Sequence, residues 1–191
     1  MNLYPLKFTP ILKERIWGGT KLNSVLNKRG SEQKVGESWE LSACAGEDSE
    51  VNNGFLAGNT LTELIEIYMG ELVGESVYEQ YGLNFPLLFK IIDAAENLSI
   101  QVHPDDETAA ERHNSFGKTE MWYIMDAEPG AELIVGFNNG ITKEKYIESV
   151  QNNSTENILK KVSVSKGDVV FIPAGLVHAI GKGILLAEIQ Q

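Results

Sequence analysis

Near its C-terminal end the chain carries the sequence Gly167-Asp168-Val169-Val170-Phe171-Ile172-Pro173-Ala174-Gly175-Leu176-Val177-His178. Its central run of β-branched and aromatic residues predicts a strand. We expect Gly167 and Asp168 to supply a hairpin turn before that strand. Pro173 fixes φ and Gly175 tolerates a positive φ, so together they predict a second turn after it. His178 would then enter the next strand and face the interior, although a structural histidine at a turn is the alternative.

Similar strand-like runs occur along the whole chain. They are short, apolar and bounded by Gly, Asn or Pro, and they cover 39–42, 85–93, 98–103, 121–125, 131–137, 162–172 and 184–189. Helical patterns separate them: one begins at Thr60 with a capping box to Glu63, one follows Pro104, and two follow the caps Thr142 and Ser154. Many short strands with inserted helices predict a mainly β barrel or sandwich.

The composition limits the class of protein. The 191 residues carry a formal net charge of −11 and one cysteine, Cys44. An acidic surface disfavours nucleic acid and anionic membranes as partners, and one cysteine excludes an internal disulfide framework. We find neither a long apolar run nor the basic-then-apolar order of a signal peptide at the N-terminus. We therefore expect a reduced, cytoplasmic protein that forms a single domain over 1–191.

A second histidine lies in the strand-like run 98–103. Gln101 and His103 are two residues apart, so a strand would point both to one face, about 7 Å apart, where they can converge on a metal. Val102 would face the other way, into the core or a packed layer. The alternative is a lone histidine with its hydrogen bonds satisfied beside a polar neighbour.

Glu120 begins another predicted strand, and a carboxylate that faces a barrel interior needs a partner there. Lys118 would share its face and reach the same pocket, unless the two form a surface ion pair. Together Gln101, His103, Glu120 and His178 make a set of two nitrogen and two oxygen ligands. Such a set suits zinc, although iron, manganese or cobalt fit nearly as well by ligand type.

These motifs resemble known families. The Pro-x-Gly-x-x-His pattern after Gly167-Asp168 resembles the second cupin motif. More specifically, the chain resembles the short bacterial form of type I mannose-6-phosphate isomerases. The resemblance covers essentially the whole chain and follows the family's order, and it is carried by the segments 17–19, 36–40, 98–105, 117–120 and 173–180. The resemblance implies a cupin-type jelly-roll barrel with inserted helices. It also implies a catalytic domain with one zinc ion per chain that interconverts mannose 6-phosphate and fructose 6-phosphate through a cis-enediol.

Residue by residue, the resemblance places the family's zinc ligands on Gln101, His103, Glu120 and His178. It matches Ser99 to a serine near the substrate phosphate and Lys118 to a catalytic pocket lysine. Enterobacterial members carry a histidine where this chain has Gly117. The family's catalytic arginine would lie beyond Gln191, so we expect that the C-terminal region is missing and that this chain binds metal but isomerises poorly.

The substrate phosphate needs cations in so acidic a protein. Lys90 interrupts the apolar run 85–92, where a buried ammonium is costly unless it is used; it would bind substrate, or else extend to the surface. The identity of the proton-transferring base stays open, with Glu40 and Glu188 as candidates.

A cupin oxygenase with iron is a competing function, although Gln101 as a ligand counts against it. A non-catalytic sugar-phosphate-binding cupin is another.

Overall fold

The computed structural model describes residues 3–28 and 34–191. Its strands are β1 Ile11–Gly19, β2 Val35–Leu41, β3 Ala43–Cys44, β4 Glu47–Asp48, β5 Leu88–Ala94, β6 Glu120–Ala127, β7 Glu132–Phe137, β8 Leu159–Ser163, β9 Val169–Ile172, β10 His178–Ile180 and β11 Ile184–Gln190. Its α-helices are α1 Lys21–Ser24, α2 Leu61–Tyr68, α3 Gly70–Val73, α4 Glu75–Tyr81, α5 Asp106–His113 and α6 Lys143–Gln151. Within these ranges no helix is both long and apolar enough to cross a bilayer.

Two antiparallel sheets enclose the main core. One has six strands in the order β1-β2-β5-β11-β6-β9, and the other has three in the order β10-β7-β8. Alternate side chains of both sheets point inward and pack together, with Trp122, Leu186 and Leu133 almost completely buried among them. This burial is the main source of stability. The sheets themselves confirm the prediction of a mainly β fold.

The turn at Gly167 differs from the prediction. Gly167 has a φ of +97°, and Asp168 accepts a hydrogen bond from the backbone N–H of Ser165, so a turn is present. It does not close a hairpin, because β8 pairs with β7 while β9 pairs with β6 in the other sheet. The predicted second turn is confirmed, with Gly175 at a φ of +81° and His178 at the start of β10.

The segment 98–103 is a weaker strand than predicted. It forms one isolated bridge with β10, at which the backbone N–H and C=O groups of Gln101 and His178 exchange two hydrogen bonds of 2.9 Å. The Leu98 N–H donates a further hydrogen bond of 2.9 Å to the Ile180 carbonyl. The expectation that Val102 faces a core or packed layer is wrong, because 61% of its surface is exposed. Side chains still alternate along this segment, and the side chain of Gln101 lines the cavity of the candidate site.

Local signals predicted the helix starts well. Thr60 and Glu63 form the reciprocal capping box before α2, Asp105 caps α5, and Thr142 caps α6. Ser154 precedes a short 3-10 helix, Thr155–Ile158, and its side chain makes no capping hydrogen bond there. The helix inserted at Thr60 ends earlier than its apolar pattern, because Met69 takes a φ of +47° before α3 begins.

Candidate metal centre

Three of the predicted ligands converge. Donor atoms of His103, Glu120 and His178 all lie within 4.8 Å of one another. Glu120 is the first residue of β6, and His178 is the first residue of β10. His103 follows the short pairing of 98–103 with β10, which brings it beside His178 with ring centroids 4.8 Å apart. The antiparallel framework thus gathers these side chains from both sheets.

Both histidines direct a ring nitrogen at the Glu120 carboxylate. His178 Nδ1 lies 2.8 Å from the carbonyl oxygen of Leu176 and must donate to it, so in a neutral ring Nε2 is the acceptor. That Nε2 lies 3.7 Å from Glu120 Oε2. His103 Nε2 is buried 3.2 Å from Glu120 Oε1, and it makes no hydrogen bond with any described residue.

This arrangement suits a cation. A bare imidazole nitrogen repels a carboxylate oxygen at these distances, and a divalent ion between them relieves that repulsion. Burial, with a contribution from the Lys118 charge, lowers the pKa of His103 to about 4, so its ring is neutral at pH 7. Neutral imidazole is the metal-binding form. The residues present therefore fit a metal ion, and His103 Nε2 is the atom that most clearly lacks another partner.

Gln101 lies at the rim of the same site. Its backbone pairs with His178, and its side chain is exposed, with Nε2 3.4 Å from Ser99 Oγ. Gln101 and Ser99 both line a cavity of about 150 Å³ that also contains Glu120 and His178. The structure thus brings the fourth predicted ligand and the predicted phosphate contact to the same cavity.

Both predicted lysines reach this cavity. Lys118 Nζ lies 3.0 Å from Glu120 Oε1, as expected if they share a face. Lys90 does not extend to the surface: its side chain is only 11% exposed, and Nζ donates to Glu188 Oε1 at 2.9 Å and to Gln190 Oε1 at 2.5 Å. Three hydrogens on the ammonium leave one available to another acceptor.

The two carboxylates considered as bases are separated by the sheet. Glu188 lines the cavity, and its Oε2 accepts a hydrogen bond of 2.9 Å from Trp122 Nε1. Glu40 is not among the lining residues; it binds Lys28 and Ser38 at 2.6 Å each. Since successive side chains of β2 point to opposite faces, Glu40 lies on the other face from Glu37 and Trp39.

Sequence reasoning missed one polar group at the cavity wall. Glu37 lines the cavity and is 9% exposed. It accepts hydrogen bonds from Arg15 at 3.2 and 3.0 Å and from Trp39 Nε1 at 2.8 Å. The available signal was the two-residue spacing of Glu37 and Trp39, which places both side chains on one face of β2. The sequence alone did not indicate whether that face points inward.

Comparisons with known proteins agree with this architecture. Residues 5–134 match the family model described as phosphomannose isomerase type I, catalytic domain. The whole chain is 44% identical to mannose-6-phosphate isomerase ManA of Bacillus subtilis, of which it covers 59%. It is 38% identical, over 98% of its length, to mannose-6-phosphate isomerase of Streptococcus mutans, of which it covers 57%. The chain thus spans little more than half the length of the curated relatives it matches.

Solved structures show the same fold. The crystal structure of mannose 6-phosphate isomerase from Bacillus subtilis superposes with a TM-score of 0.88 at 38% identity, covering 98% of this chain and 58% of that one. A structure described as a putative mannosephosphate isomerase from Archaeoglobus fulgidus gives a TM-score of 0.81 at 28% identity, over all of this chain and 62% of that one. The expected cupin-type fold is confirmed.

Proposed function

Since the chain belongs to the type I phosphomannose isomerase family, we propose that it interconverts mannose 6-phosphate and fructose 6-phosphate. The observation that carries the proposal is the convergence of His103, Glu120 and His178. Glu120 and His178 line a cavity that also holds two lysines and Ser99. A sugar phosphate needs both features. Its carbonyl oxygen needs an electrophile, and its phosphate needs cations.

The metal in this proposal is zinc, one ion per chain. His103, Glu120, His178 and Gln101 would hold it, since imidazole nitrogens with carboxylate and amide oxygens suit a borderline divalent ion. A zinc ion bound there would supply a Lewis acid for the oxygens at C1 and C2 of the open-chain sugar. The hydrogen bond from His178 Nδ1 to Leu176 fixes the ring tautomer that a ligand at Nε2 requires.

The other residues bind substrate and handle the proton. Lys118 and Lys90 would stabilise negative charge, with Lys90 and Ser99 assigned to the phosphate and Lys118 to the reacting end. Isomerisation moves a proton from C2 to C1 through a cis-enediol, which requires a group that accepts it and returns it. Of the two carboxylates considered, Glu188 lines the cavity, so we assign it rather than Glu40 as the candidate for this transfer.

The acidic charge supports the expected partners. A net charge of −11 favours a small-molecule substrate held by local lysines over a nucleic acid or anionic membrane partner. We retain a cytoplasmic location as part of the proposal, because the single cysteine, Cys44, is free and exposed, as a reducing compartment permits.

Metal content and turnover test the proposal together. We expect about one zinc per chain by elemental analysis after purification without added metal, and its loss in His103→Ala and His178→Ala. His113→Ala is the matched control, because His113 is exposed at the end of α5. Full zinc occupancy in both ligand variants would show that the site is wrongly placed.

Lys118→Met separates catalysis from metal binding. A protonated lysine is a poor ligand, so we expect normal zinc content but at least a tenfold loss of kcat/KM, about 1.4 kcal/mol, in a coupled fructose 6-phosphate assay. The Bacillus subtilis relative serves as the positive control. Unchanged kcat/KM would contradict the role of Lys118, and zinc and sugar-phosphate binding without any turnover would favour the non-catalytic binding protein.

A further inference from the structure

Glu188 lies between two hydrogen-bond donors that come from opposite sides of its strand. Strand register places it opposite Lys90 of β5 on one side and opposite Trp122 of β6 on the other. Lys90 Nζ donates to Oε1 and Trp122 Nε1 donates to Oε2, each at 2.9 Å. All three residues line the candidate cavity. The sheet thus supplies one donor to each oxygen of a carboxylate at the site.

The bond from Trp122 fixes the orientation of this carboxylate. The last torsion of a glutamate side chain is broad and roughly two-fold, so a single donor leaves the carboxylate plane free to rotate. A second donor on the other oxygen, from an indole that is 1% exposed, removes that freedom. Only two of the roughly four acceptor positions of the carboxylate are then occupied, so it can still accept a proton.

The same indole also contacts the candidate metal centre. Its ring centroid lies 5.5 Å from that of His178, with an angle of 77° between the ring planes. This is the edge-to-face arrangement that aromatic pairs prefer. Trp122 therefore contacts both Glu188 and His178, and because an indole is rigid, it sets the separation of these two residues.

This separation matters for the proposed reaction. There Glu188 accepts the proton from C2 of the sugar and returns it to C1, while the sugar oxygens lie at the centre that includes His178. Both residues must meet one small molecule, and a misplacement of about 1 Å can cost about 100-fold in rate. We propose that Trp122 is a positioning residue for isomerisation, which orients Glu188 through its N–H and fixes the distance to His178 through its ring. The inference rests on the proposed function and adds to it a residue that acts through Glu188.

Trp122→Phe separates positioning from packing, because phenylalanine keeps a ring in the core but has no N–H. We expect kcat to fall about tenfold or more, while KM and zinc content stay within about twofold because the assigned phosphate contacts and ligands are unchanged. In a Glu188→Gln background the same substitution should change kcat by less than about twofold, since residues that act as a unit are non-additive. Trp17→Phe is the matched control, because Trp17 packs against the same core but does not line the cavity.

The indole N–H signal of Trp122 tests the contact without any turnover. The chain has three tryptophans, so NMR identifies this signal by elimination with Trp17→Phe and Trp39→Phe. We expect it to be protected from hydrogen exchange and to move upfield in Glu188→Gln, because the acceptor loses its charge. It should also move when fructose 6-phosphate is added.

The outcomes are distinct. A loss of kcat in Trp122→Phe that is absent from Trp17→Phe and disappears in the Glu188→Gln background supports the proposal. Unchanged kcat in Trp122→Phe, equal losses in both variants, losses that add to that of Glu188→Gln, or an indole signal that exchanges as fast as an exposed one overturn it. A parent without turnover contradicts the proposed function instead. The response of the indole signal to Glu188→Gln and to fructose 6-phosphate then decides whether Trp122 holds Glu188 at the binding site, as it also does if Trp122→Phe fails to fold.

Discussion

Replacing Glu188 with alanine would remove the acceptor of two buried donors at once. Glu188 accepts hydrogen bonds from Lys90 Nζ and Trp122 Nε1, each at 2.9 Å, and its side chain is only 5% exposed. Breaking a buried ion pair by removing one partner costs about 3 to 5 kcal/mol. Lys90 keeps Gln190 as an acceptor, so we expect a loss near the lower end, about 3 kcal/mol in the free energy of unfolding.

Urea denaturation in the presence of a chelator measures this loss without any metal contribution. Lys90→Met and the double variant complete a mutant cycle, and we expect a coupling energy above about 1.5 kcal/mol because the charges are in direct contact. Glu132→Ala is the control, since Glu132 is exposed on β7 and its replacement should cost less than about 0.5 kcal/mol. A loss below about 1 kcal/mol for Glu188→Ala, or no coupling, would refute a fixed buried pair.

Two further predictions concern stability. Thr60→Ala removes one half of the capping box before α2 and should lower the free energy of unfolding by about 1 kcal/mol, measured by urea denaturation beside Thr62→Ala. Asp93 is buried, and burial raises its pKa, so its ionisation costs the folded state stability as pH rises. The unfolding free energy of Asp93→Asn relative to the parent should therefore increase from pH 4 to pH 7, and a decrease would contradict the raised pKa.

Features encoded within a few residues were predictable. The capping box needs only Thr60 and Glu63, which are three residues apart, and the turn at Gly175 needs only a residue that tolerates positive φ. The period of two along a strand is equally local, and it was the basis for predicting Gln101 and His103 on one side. Gln101 lines the cavity with Glu120 and His178, and His103 lies beside the same two residues. Residue types and short spacings thus identified the candidate ligands.

Pairing between distant strands was not encoded locally. A hairpin turn was predicted at Gly167 and Asp168 within the run 162–172, yet β8 and β9 belong to different sheets because each pairs with a partner far away in sequence. Whether Val102 is buried or exposed likewise depends on what lies beyond the segment, not on its own pattern. Arg15 and Glu37 were missed for this reason, since their contact joins β1 to β2.

The ligand positions link metal binding to the stability of the fold. Glu120 belongs to the six-stranded sheet, whereas His178 belongs to the three-stranded sheet. A metal that binds both therefore stabilises the sheets in their native arrangement and gains nothing comparable from the unfolded chain. At free zinc 100-fold above Kd this adds about 2.7 kcal/mol, or an increase in Tm of roughly 5 to 10 °C for a chain of this size.

Differential scanning fluorimetry with zinc or with chelator measures that increase. It should vanish in His178→Ala and persist in His113→Ala, whose ring is exposed at the end of α5. Because an ion bound only at surface carboxylates would raise Tm equally in both variants, the comparison isolates the centre itself. An increase that survives in His178→Ala would show that zinc stabilises the protein elsewhere, and the absence of any increase in the parent would show that these residues do not hold the ion that their geometry fits.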